Sequence, residues 1–140
     1  MKKVIGVLSA ILICFGLIGC AGDKENSNKQ TDNNKLNVVV SIYPLEQFTK
    51  MIGGDKVNVL TLVGAGQEPH DFEIKPADFK ELANSDIFVY NGLGLEEWLD
   101  KVKDQLKDSK TLMVDSSNGV DVIKDGDKID PHIWLSLKDA

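Results

Sequence analysis

The chain has two histidines, His70 and His132, and each directly follows a proline that itself follows an acid: Glu68-Pro69-His70 and Asp130-Pro131-His132. Proline fixes its own backbone torsion and biases the preceding residue toward extended structure, so each imidazole is presented from a stiff loop. A stiff mount is what a preorganised metal ligand requires, and neutral imidazole is the usual nitrogen ligand for zinc. Asp71, Glu73 or the acids before each proline are placed to orient the rings from behind. The histidines stand 62 positions apart, which matches no local zinc spacing, so a shared site depends on the fold bringing them together.

The elements that must do so alternate between strand and helix. Leu36 to Ile42 contains three consecutive valines and reads as a strand buried on both faces of a parallel sheet. Pro44 opens a helix whose Leu45, Phe48, Met51 and Ile52 form a core-facing stripe, stopped by Gly53 and Gly54. A second strand follows from Val57 to Val63, then the loop Gly64 to Lys75 that carries His70. Pro76 starts a short helix with Phe79, Leu82 and Ala83, and Asp86 to Tyr90 is the third strand. Asn91, Gly92 and Gly94 turn the chain into a helix with Leu95, Trp98, Leu99, Val102 and Leu106 on one face. Glu96, Glu97, Asp100, Asp104 and Asp108, interleaved with lysines, read as its solvated face. Thr111 to Val114 is the fourth strand, and Asp115 to Asp130 is an acidic solvated loop. The expected fold is α/β: a parallel four-stranded sheet with helices on both faces. Ligands of such sheets bind beyond the carboxyl ends of the strands, where the Gly64 loop lies.

The ends of the chain set its location. Lys2 and Lys3 precede an apolar run from Val4 to Ile18, too short for a comfortable membrane span and suited to a secretory signal. It ends at Leu17-Ile18-Gly19-Cys20, similar to a bacterial lipobox, so residues 1–19 are expected to be cleaved, Cys14 with them, and Cys20 to carry lipid. Residues 20–35 lack large apolar side chains after the cysteine and read as a flexible tether. Without Lys2 and Lys3 the charge changes from −6 to −8, 14 basic against 22 acidic residues. An acidic module excludes a nucleic-acid role and suits a cationic ligand.

Taken together, the lipobox, Ser41-Ile42-Tyr43-Pro44, the loop Gly66 to Glu73, Asn91 to Trp98 and Asp130 to Ser136 resemble the metal-binding lipoproteins of zinc and manganese ABC importers. The resemblance implies that His70 and His132 are the first two metal ligands. It further implies a zinc cargo, with manganese as the alternative, a membrane lipid anchor at Cys20 facing the extracytoplasmic side, delivery to an ABC permease, and no catalysis. Members of this family have two α/β lobes with two ligands from each. Residues 36–140 resemble the N-terminal lobe, so a fragment or truncated product lacking the C-terminal lobe is expected, with Leu137 where a proline is common. Two rival readings remain open at this stage: a surface adhesion lipoprotein, and a zinc-dependent hydrolase using Glu68, Glu73 or Asp130 as base.

Overall fold

A computed structural model describes residues 34–136 and Lys138. The expected signal peptide, the lipidation site at Cys20 and nearly all of the tether lie outside the described residues.

Strand β1 (Leu36–Ile42) runs into helix α1 (Tyr43–Gly53), with Pro44 in its first turn, where a missing N–H costs nothing. Gly54 takes a positive φ of 55° and a short 3₁₀ turn returns the chain into β2 (Val57–Val63). Helix α2 (Pro76–Ala83), β3 (Ile87–Tyr90), α3 (Leu99–Leu106) and β4 (Leu112–Asp115) complete the alternation. The four strands pair in parallel in the order β2-β1-β3-β4. Strand order therefore reverses beside β1, which opens a crevice at the carboxyl edge.

Successive residues of β1 face opposite layers, and both layers are dry. Val38, Val40 and Ile42 pack with Leu45 of α1, Val63 and Leu95. Val39 packs on the other face with Leu82 of α2, Phe88, Tyr90, Trp98 and the α3 residues Val102 and Leu106. Burying each such side chain stabilises the fold by about 1.5–3 kcal/mol, which is why three valines in a row make the central strand.

Four expectations are corrected. Met51 and Ile52 are 81% and 88% exposed, because the last turn of α1 overhangs the sheet it packs on; only Leu45 and Phe48 of the stripe meet the core. The third helix begins at Leu99 rather than Leu95. Gly92 and Gly94 each have φ +83° and Leu93 +56°, a left-handed run that ends before Leu95, and Leu95 and Trp98 are buried ahead of the helix rather than within it. Glu96 is 5% exposed, not part of a solvated face. The acidic stretch is largely exposed as expected but contains a hairpin, β5 (Lys124–Asp125) with β6 (Lys128–Ile129), separate from the main sheet.

Candidate metal centre

The His70 loop leaves β2 through a closed turn. Gln67 N–H donates to the Gly64 carbonyl at 3.2 Å, and the Gly64 N–H donates back to Gln67 Oε1 at 2.8 Å. Gly66, at φ +78°, supplies the left-handed residue that such a tight turn needs. Beyond it, the backbone N–H of His70 donates to Glu68 Oε1 at 3.2 Å and that of Phe72 to the Pro69 carbonyl at 3.4 Å. Phe72 anchors the loop: it touches both core layers, and its ring meets Trp98 edge-on with centroids 5.6 Å apart.

His132 arrives from a much longer excursion. Its backbone N–H donates to Asp130 Oδ1 at 3.0 Å, and its Nδ1 lies 2.7 Å from the same oxygen. The hydrogen bond from the His132 N–H, followed by that from its ring, holds the Asp130 carboxyl below the usual carboxylate range. Asp130 therefore remains an acceptor at neutral pH, and in the neutral tautomer that donates Nδ1–H to it the Nε2 lone pair faces away from the carboxylate. Trp134 packs against the layer of Val38, Val40 and Ile42 and meets the His132 ring with centroids 5.2 Å apart.

The two imidazoles converge: their ring centroids are 5.7 Å apart with planes at 61°. A zinc ion at the usual nitrogen distance has each ring centroid about 3.2 Å away, and a tetrahedral angle puts two such centroids about 5 Å apart. Both rings are exposed to solvent, so an ion can reach them. Among the described residues no group of three or more His, Cys, Asp or Glu side chains could hold a metal, and two imidazoles are half the number of ligands in a tetrahedral zinc set. A groove of about 390 Å³ opens alongside, lined by Ile42, Tyr43, Pro44, Gln67, Pro69 and Trp134.

The sequence placed the His70 loop at the carboxyl edge; the structure brings His132 beside His70, and the acid before His132 meets its ring. Glu68 instead serves its backbone. Asn91 and Glu96 were missed as supports for this edge. Glu96 Oε1 and Oε2 accept the N–H groups of Asn91 (2.7 Å) and Gly92 (3.0 Å), fixing the turn after β3. The sequence signal available was an acid four to five residues after an Asn-Gly turn.

Comparison with known proteins agrees with this fold. The family described as zinc-uptake complex component A, periplasmic, matches residues 38–140. The manganese-binding lipoprotein MntA of Halalkalibacterium halodurans is 32% identical over 140 residues, covering 100% of this chain and 46% of MntA. The zinc-binding lipoprotein AdcA of Streptococcus pneumoniae is 31% identical over 151 residues, covering 97% of this chain and 29% of AdcA. The crystal structure of Zn(II)-bound AdcA superposes with a TM-score of 0.67 at 36% identity, over 75% of this chain and 23% of that one. The chain thus spans less than half the length of these curated relatives.

Proposed function

The chain belongs to the zinc-uptake complex component A family, and on that premise we propose that it is an extracytoplasmic metal-binding lipoprotein that captures zinc and delivers it to the permease of an ABC importer. Manganese is the alternative cargo. His70 and His132 are its first two metal ligands, and residues 36–140 form the N-terminal metal-binding lobe, with further ligands supplied from outside the described residues. Residues 1–19 act as signal peptide, Cys20 carries the lipid that holds the protein at the membrane, and residues 20–35 give it reach. Among the described residues no helix is long and apolar enough to cross a membrane. The relatives are named as binding lipoproteins, and the proposed task is capture and handover rather than turnover of a substrate.

The observation that carries this reading is the 5.7 Å approach of two imidazoles 62 positions apart in the chain. Imidazole favours zinc, whereas manganese prefers more oxygen donors, so a site that begins with two histidines leans to zinc. The work of the protein is to replace part of the ion's water shell with nitrogen donors already held in place, which lowers the ordering entropy that binding must overcome. A zinc titration against a competing chelator tests it: His70→Ala and His132→Ala each weaken binding about tenfold or more. Undiminished affinity in both removes the reading.

A further inference from the structure

The chain leaves the carboxyl edge of the main sheet after Ser116, whose N–H still donates to the Tyr90 carbonyl at 2.9 Å, and is tied to it again at Pro131. Within that excursion Lys124–Asp125 and Lys128–Ile129 pair as a hairpin with each other and not with the sheet. The histidine at its end therefore depends for its position on what ties the returning segment to the core, and Trp134 does so only from the far side of His132. We infer that Asn91 is the positioning residue for His132: its carboxamide ties the Pro131 carbonyl to the end of β3 and thereby sets where the second imidazole stands. This rests on the reading of His132 as a metal ligand and goes beyond it by naming what holds that ligand.

The Asn91 side chain is fully buried, and its Nδ2 donates to the carbonyls of Pro131 at 2.9 Å and Gly92 at 3.1 Å. The Pro131 carbonyl also accepts the Ile133 N–H at 2.8 Å, so this oxygen, in the residue next to His132, is fixed from two directions. The strut has a rigid foot, because the Glu96 carboxylate holds the backbone N–H groups of Asn91 and Gly92. Only a short side chain with two N–H donors serves both carbonyls. The isosteric change Asn91→Asp would set acceptors against two carbonyls beside a buried carboxylate. Asn91 Oδ1 is buried with no hydrogen-bond partner among the described residues, so the residue's contribution lies in its donors. Without the Nδ2 donor the Pro131 carbonyl keeps only the Ile133 N–H of its own segment, so no hydrogen bond ties that carbonyl to the end of β3 and the segment is free to shift.

The test is zinc affinity, by chelator competition, for the unmutated chain, Asn91→Ala, His132→Ala and the double variant. Asn91→Ala is expected to weaken zinc about tenfold, and to change it less than about twofold once His132 is already alanine. Unchanged zinc affinity in Asn91→Ala, or the same tenfold loss repeated in the His132→Ala background, overturns the inference; the second outcome means general destabilisation. If His132→Ala itself binds zinc like the unmutated chain, the ligand reading fails and this inference with it, whereas loss in His132→Ala alone sinks only the role of Asn91. Should Asn91→Ala not fold, proton exchange of the Asn91 side-chain amide in the unmutated chain decides. Zinc is expected to slow it, and exchange that zinc leaves unchanged overturns the inference.

Discussion

The His70 and His132 segments share a local sequence and differ in how they are mounted. His70 stands seven residues past the end of β2, in a loop closed by the Gly64–Gln67 turn and pinned to the core by Phe72. His132 stands seventeen residues past the end of β4, with Trp134 on the core and Asn91 on the sheet as its anchors. The acids differ too. Glu68 reaches the His70 backbone N–H, while Asp130, one carbon shorter, accepts both the backbone N–H and the ring Nδ1 of its histidine. An acid-Pro-His motif therefore sets the backbone in both places, but the length of the acid decides whether the ring itself is oriented. Among the described residues the well-anchored loop gives its ring no hydrogen bond like the one from Asp130, and the loop that is hung on a long excursion has its ring held.

Removing the ring beneath the His70 loop breaks the comparison most severely. Trp98→Ala takes away the ring under Phe72 and Phe88, and is expected to lower stability by about 3–5 kcal/mol in urea unfolding. A loss below about 1 kcal/mol contradicts the core described here. Next, Phe72→Ala should cost about 2 kcal/mol and Trp134→Ala about half of that, since Phe72 touches both layers and Trp134 one. The reverse order in the same unfolding assay would make the His132 segment the firmer mount. Smaller again is the difference between the two acids. Asp130→Ala should weaken zinc about tenfold, or about 1.4 kcal/mol, and Glu68→Ala less than about threefold, by chelator competition. Equal losses would erase the distinction drawn between them.

The smallest effect lies away from both histidines, at Glu46 on α1. Hydrogen bonds from Lys50 and then Thr61 hold its carboxyl below the usual carboxylate range. A carboxyl lowered on folding contributes stability above its unfolded value, and loses that contribution as pH falls through the lowered folded value. Glu46→Gln should thus cost about 0.5–1 kcal/mol near neutrality and nothing once the carboxyl is protonated, with zinc affinity unmoved. A pH-independent loss in thermal melts would contradict that assignment.

Strands β1 and β2 were legible to the residue because apolar runs flanked by Pro44, Gly53 and Gly64 leave no other reading. The site was half legible. The repeated Pro-His pair and the expected position of the His70 loop at the carboxyl edge pointed to it, but sequence periodicity says nothing about which long loops return to that edge. Leu95 and Trp98 fall at helical spacing and are buried, yet both precede the helix, which starts at Leu99, because inward-facing positions look alike in a helix and in the turn that leads into it. Met51 and Ile52 continued the apolar stripe past the point where the sheet ends beneath it. The hairpin of β5 and β6 had a Gly126-Asp127 turn signal, hidden by polar flanks. Asn91 and Glu96 were illegible in their roles, since each acts on backbone groups that only the folded turn brings near.

The central claim is that His70 and His132 take hold of one ion together, and nitrogen NMR of the histidine rings during a zinc titration tests it most directly. The account predicts that the ring resonances of both histidines shift in step, with a common midpoint and one zinc per chain. Rings that respond at different zinc concentrations, or a single ring that responds alone, would contradict it.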